Sequence, residues 1–205
     1  MARRLFVASI LCMKVREQTM QGIDVRPATP HDIPALHALI EASVRGLQTG
    51  EYSAAEIEGA LGHALGLDTQ LIDDGTYFVA EATGRSIVGC GGWSWRQKLC
   101  GSDALDAESP CGGSATEGAA ASAAKIRAIF VHPAWARQGL GSLILNHVEE
   151  EAKAAGFHLL EMGSTLTGVP LYSLRGYRET ERMGIALPNG ETLAVVRMVK
   201  QLKAS

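Results

Sequence analysis

Arg137, Gln138, Gly139, Leu140, Gly141 and Ser142 stand between a short apolar run and a long helical pattern. Residues of these types, placed there, can hold an anion. The first N–H groups of a helix have no partner within it, and the helix dipole favours negative charge at that end. Gly139 and Gly141 would let the backbone approach a phosphate with no Cβ in the way, and Arg137 would add a direct charge. Gly-x-Gly alone is more often a plain tight turn. Two familiar phosphate motifs are not met. No Gly-Lys-Ser/Thr ending follows, which argues against a P-loop NTPase, and no third glycine has the dinucleotide spacing. A nucleotide-dependent enzyme is left little room.

Other chemistry finds less support. The cysteines Cys12, Cys90, Cys100 and Cys111 form no Cys-x-x-Cys, so neither zinc nor a redox pair is expected. Cys90 sits in an apolar strand pattern as a small core residue. Cys100 and Cys111 flank a loop where they could pair, but free thiols in a reducing, cytoplasmic setting are the expectation. The six histidines form no metal-binding cluster, so no metal is expected. With 46% hydrophobic and 20% charged residues and a net charge of −3, the chain reads as a soluble globular protein. The charge gives no reason to expect nucleic acid or an anionic membrane as partner, and no apolar run approaches the ~20 residues of a membrane span.

The elements that must position the turn can be read in order. Residues 1–22 lie outside the expected domain, as a disordered extension or an upstream start with Met20 as the true one; residues 23–203 form a single domain. Ile23 to Arg26 reads as a strand. Thr29-Pro30-His31-Asp32 opens a helix with Ile33, Leu36, Leu39, Ile40 and Val44 inward, and Ser53 to Glu56 is a capping box for a second helix running to about Leu65. Thr76 to Ala82 and Ser86 to Trp95 form a hairpin about Thr83-Gly84-Arg85, with Gly91-Gly92 marking a bulge or a close approach. A flexible, low-complexity loop is expected at about 97–123. Lys125 to Val131 is the next strand, ended by His132-Pro133. The helix after the turn carries Leu140, Ile144, Val148, Ala152 and Ala155 on one face, with Glu149, Glu150 and Lys153 off it and Gly156 as its C′ glycine. His158 to Gly163 is a strand, and Gly168 to Arg175 a short helix. Tyr177 to Leu187 and Glu191 to Lys200 pair about Pro188-Asn189-Gly190. This is an α/β fold, a mixed sheet with helices on both faces.

The strand end Ile129-Phe130-Val131-His132-Pro133 with the Gly139-Leu140-Gly141 turn resembles the coenzyme A signature of the GCN5-related N-acetyltransferase (GNAT) superfamily. Tyr172-Ser-Leu-Arg-Gly176-Tyr177 resembles that family's Tyr-x-x-x-Gly-Phe/Tyr segment. The likeness spans roughly residues 24–200, and it implies a GNAT-like, mostly antiparallel sheet. Three departures stand out: Ala136 replaces the usual Arg or Gln, Thr165 stands where Asn is frequent, and Lys125 holds a position often occupied by a catalytic Glu.

By that resemblance acetyl-CoA is the acetyl donor. Main chain of Ile129, Phe130 and Val131 would hold its pantetheine arm, and Arg137 to Ser142 its pyrophosphate. Tyr172 matches the family's general acid: a phenol of pKa ~10 can protonate a thiolate whose acid has pKa ~8.5. Glu81, Glu161 and His132 remain as candidate bases, and none is put forward. The two early helices cover the acceptor site in the family, which makes Arg45, Gln48, Glu51 and Tyr52 candidates for substrate contact; Trp93 on the sheet is another. The expected activity is transfer of acetyl to a primary amine of a small molecule, by direct attack on the thioester. Glu51, Glu56 and Glu58 weakly point to a cationic amine, while Arg45 argues the other way. A non-catalytic acyl-CoA-binding or sensing module on the same fold is the alternative. Homodimers are common on this fold, which leaves self-association open.

Overall fold

The computed structural model describes residues 22–96, 98–99, 101–104 and 123–203. Expectations for residues 1–21 and for most of the 97–123 loop, including any pairing of Cys100 with Cys111, lie outside the described residues.

Alternating and β-branched runs give seven strands: β1 (Ile23–Pro27), β2 (Tyr77–Ala82), β3 (Ser86–Ser94), β4 (Ala123–Val131), β5 (Leu159–Thr165), β6 (Arg178–Ala186) and β7 (Thr192–Gln201). They make one sheet in the order β1-β2-β3-β4-β5-β7-β6. Every pair is antiparallel except β4 with β5. The α-helices are α1 (Ile33–Leu47), α2 (Ala54–Ala60), α3 (Gln70–Asp73), α4 (Leu140–Ala154) and α5 (Val169–Leu174).

Two apolar clusters sandwich the sheet. Leu36, Leu39, Ile40 and Val44 of α1, Ile57 of α2 and Leu71 of α3 pack on one face with Tyr77, Val79, Leu193 and Val195. Leu140, Ile144, Leu145, Val148 and Ala152 of α4 pack on the other with Phe78, Ala80, Ile126 and Met198, joined by Tyr172 of α5. The mixed sheet covered on both faces is therefore the architecture found.

Local signals explain most element ends. Ser53 N–H donates to Glu56 Oε2 at 2.8 Å and Ser53 Oγ accepts from Glu56 N–H at 3.2 Å, the expected reciprocal cap. At the Asn-Gly turn, Leu187 N–H donates to Glu191 O at 2.9 Å, while Asn189 Nδ2 reaches Ala55 O at 2.8 Å and ties the hairpin to α2. Gly91 serves the close approach foreseen for it: a Cβ there would sit 2.8 Å from Ile144 Cγ2 of α4.

Several expectations are corrected. The second helix stops at Ala60, not Leu65, because Leu61 is extended, and the four-residue α3 was not foreseen. Ala155 is exposed as the C-cap of α4, whereas Glu149 is buried there and accepts from Lys200 Nζ at 2.6 Å. Within the 97–123 stretch Leu99 is buried, and the Ser102 hydroxyl lies 2.8 and 2.7 Å from the carbonyl oxygens of Gly62 and His63, which share its proton. Among the described residues no helix is long and apolar enough to cross a membrane, and no group of side chains could hold a metal ion.

Candidate active site

The site begins with a defect in β4. Cys90 pairs with Phe130 and Gly92 with Arg127, so Gly91 of β3 stands against both Ala128 and Ile129. The extra residue is taken up at Ala128, which adopts φ 52°, a conformation costing an alanine about 1–2 kcal/mol. The fully buried Tyr77 holds the bulge by donating to Ala128 O at 3.0 Å. Bulges bend a strand, and β4 leaves its neighbour here. Its parallel pairing with β5 covers only Ala123 to Lys125, while β5 runs on to Thr165 against β7.

A cleft of about 70 Å³ opens between the parted strands. Ile126 to Phe130 form one wall, Gly163 to Thr165 the other, and Tyr172 closes one side. Gln48 from the end of α1, Ala64 to Gly66, Leu99 and Gly101 complete it. Val131 N–H, at the end of β4, donates to Ser43 Oγ of α1 at 3.3 Å.

From β4 the chain leads into the turn. His132 Nδ1 accepts from Ala134 N–H at 3.2 Å and caps a single 3-10 turn, Pro133–Trp135. Gln138 Nε2 donates to Ala134 O at 2.7 Å. Arg137 and Gly139 both have positive φ, 63° and 105°, and the space where a Gly139 Cβ would sit is open. Leu143 N–H is bonded to Gly139 O at 3.0 Å, so the N–H groups of Leu140, Gly141 and Ser142 precede the helical ladder. Gly141 has a packing reason to be small: a Cβ there would lie 3.2 Å from Leu171 of α5.

Tyr172 is buried, its ring edge-on to Tyr177 at 5.8 Å. Burial pushes its hydroxyl above the ordinary tyrosine value. The phenol therefore stays protonated across the physiological range.

Two of the three candidate bases are engaged elsewhere. Glu81 pairs with Arg26 across β1 and β2 at 3.2 Å. Glu161, buried, pairs with both Lys125 and Arg197. Burial opposes ionisation of Glu161, but the bonds from Arg197 and Lys125 outweigh it and hold the carboxyl below its usual range. Lys125 and Glu161 are register partners across β4 and β5.

The residues expected to meet substrate are not brought together. Arg45 is exposed and joins Glu41 at 2.9 Å to Glu58, bracing α1 against α2. Glu56 is spent on the Ser53 cap. Tyr52 is a strut: its hydroxyl donates to Ala194 O at 2.6 Å and accepts from Leu166 N–H at 2.8 Å, and burial pushes it up to about 12. Trp93 packs on Phe157 at 5.5 Å and Trp95 at 5.9 Å within the α4-side cluster. Of these positions only Gln48 lines the cleft.

Sequence reasoning missed Arg127, Asp68 and Ser43. Arg127 is buried in the cleft wall, with Nη1 2.7 Å from Asp68 Oδ2 and Nη2 donating to Gly101 O at 2.6 Å. The available signal was Lys125 and Arg127 on alternate positions of an apolar strand. Nothing local marks Asp68 as the partner of Arg127.

A sheet parted at a bulge, with a glycine turn and helix start beyond it, is the arrangement of an acyl-CoA acetyltransferase fold. The acetyltransferase (GNAT) family model matches residues 42–177, and the chain belongs to that family. Similar solved structures include a GCN5-related N-acetyltransferase from Rhodopseudomonas palustris, at 20% identity and TM-score 0.64 over 89% of this chain and 97% of that one. The putative acetyltransferase YncA from Salmonella typhimurium, with its cofactor acetyl-CoA, follows at 17% identity and TM-score 0.60 over 90% and 96%. The PaiA N-acetyltransferase from Thermoplasma acidophilum, in complex with coenzyme A, has 13% identity and TM-score 0.57 over 88% and 99%. A comparison with the curated proteins gives no match.

Proposed function

We propose that the protein moves an acetyl group from acetyl-CoA to a primary amine of a small molecule. The observation that carries this reading is the Tyr172 phenol at the cleft between parted β4 and β5. The chain's own groups fit the donor. Beyond Lys125, β4 has no partner on the β5 side, so main chain of Ile129, Phe130 and Val131 can bind an amide-bearing arm, the Val131 N–H by leaving Ser43 Oγ. The turn from Arg137 through Ser142 offers unpartnered N–H groups and an exposed guanidinium for a pyrophosphate. Acetyl-CoA supplies an acetyl group activated as a thioester, and free thiol leaves when an amine nitrogen takes the acyl carbon.

Tyr172 stays protonated and offers its O–H to the departing sulfur, which needs a proton as the carbon–sulfur bond breaks. Glu81 and Glu161 are engaged by arginine and lysine partners and His132 Nδ1 caps the turn after β4, so none of the three is assigned as base. The amine therefore arrives neutral, or loses its proton to water.

Isothermal titration with acetyl-CoA, followed by thiol release against an amine panel, tests the reading. Binding with amine-dependent release is expected. Binding without release for any amine would favour the sensing module, and no binding would overturn the assignment of the Arg137–Ser142 turn.

A further inference from the structure

Two polar side chains line the cleft with hydrogen-bonding capacity unspent. Arg127 is 4% exposed, and its Nε has no partner although Nη1 and Nη2 are both bonded. Gln48, at the end of α1, is 8% exposed, and its Oε1 has no partner either. A buried donor or acceptor left unpaired is costly. An unpaired donor and an unpaired acceptor, on two residues that line one cleft, give a bound ligand one of each to satisfy.

The local charge says which ligand. Asp68, itself buried, is shared: its Oδ2 lies 2.7 Å from Arg127 Nη1 and 3.7 Å from Lys98 Nζ. Two cations thus face one carboxylate. Asp103 is exposed and accepts from Thr69 N–H at 2.9 Å. Glu161, on the neighbouring strand, is balanced by Lys125 and Arg197. None of the acids that suggested a cationic acceptor, Glu51, Glu56 and Glu58, lines this cleft; Glu56 caps Ser53 and Glu58 pairs with Arg45.

Resting on the acetyl-transfer reading above, we propose that the acceptor is an amine carrying a carboxylate, an amino acid, taken with its carboxylate at Arg127 and its amine at Gln48. Arg127 is then a specificity residue, and Asp68 a positioning residue that fixes the guanidinium plane. Guanidinium is the group of choice for a carboxylate in a closed site. A site built to bond a group strongly rejects analogues that lack it.

The test compares kcat/KM of the unmodified protein for free amino acids against their carboxamides and decarboxylated amines. A preference for the acids of about 100-fold or more is expected. Arg127→Lys is expected to raise the KM for the amino acid at least about tenfold, while that for the carboxamide stays within about threefold. Gln48→Leu, a change at a helix end that breaks no protein bond, is expected to raise the KM for both. Should Arg127→Lys fail to fold, the unmodified-protein ratio and Gln48→Leu decide. Equal or better turnover of carboxamides, or acetyl-CoA binding with no turnover of any amino acid, overturns this proposal and leaves the donor assignment standing. Absence of acetyl-CoA binding overturns both.

Discussion

Tyr172 illustrates how one residue's surroundings set its use. A phenol in water is a weak acid of pKa ~10; buried at the cleft, its ionisation is disfavoured further. It can lend a proton or a hydrogen bond to a departing thiolate but cannot serve as a base. Tyr172→Phe keeps the ring against Tyr177 and removes only the O–H. We expect kcat to fall by roughly 10²-fold or more, with acetyl-CoA affinity changed less than about threefold. Stopped-flow thiol release and titration would measure the two, and unchanged kcat would remove Tyr172 from the chemistry. Glu161 makes the complementary point. It is a buried carboxylate at the sheet's centre, yet Lys125 and Arg197 occupy it. With Glu81 and Glu161 both engaged by basic partners, the ascending limb of the pH–rate profile should follow the acceptor. Two acceptors whose amine pKa values differ by about 1 unit should give inflections displaced by about as much. An inflection at the same pH for both would reveal an enzyme base.

At the scale of elements, β4 and the turn after it do two jobs with one run of chain. The bulge at Ala128 parts β4 from β5, and the positive φ values at Arg137 and Gly139 bring α4 in with its N-terminus leading. Gly139 is the sensitive position. Its side-chain space is open, so a substitution clashes with nothing there, yet φ 105° strains any L residue. Gly139→Val is expected to cost about 1–2 kcal/mol of stability and to weaken coenzyme A binding about tenfold. A thermal melt and a titration would check both. A destabilised protein with undiminished affinity would separate the turn from the cofactor.

Across the whole molecule, the sheet's outer edge is secured by charge. Arg26 Nη1 and Nη2 each lie 2.9 Å from an Asp32 oxygen, and Thr29 N–H adds a bond at 2.8 Å. The Arg26 bonds, chiefly, hold Asp32 well below the usual carboxylate range, and Arg26 lowers Glu81 as well. A carboxyl depressed in the folded state stabilises fully above its unfolded value near ~4, and that contribution is lost as pH falls through the folded value. The urea midpoint should therefore begin to drop below about pH 5 and keep dropping below about pH 3, down to the folded value. Arg26→Gln should be less stable at pH 7 and flatter across that window. Equal slopes for the two proteins would show that other groups carry the acid sensitivity.

Much of the frame was legible because its signals are local. The Ser53 cap, the Asn189-Gly190 turn, the α1 stripe and the β4–turn–α4 run each depend on residues a few positions apart, and each formed where periodicity and turn chemistry placed it. The glycine turn and Tyr172 were legible for the same reason, through two short motifs. What the chain order did not disclose are partnerships between distant positions. Arg127 meets Asp68, Glu161 meets Lys125, Tyr52 braces Ala194, and Trp93 turns toward α4 rather than the cleft. Sequence alone determined the α/β frame and the glycine turn that opens α4, because short-range sterics and hydrogen bonding decide them. Only the tertiary structure decided which charges are spent on each other, because that depends on burial and on the register of strands far apart in the chain.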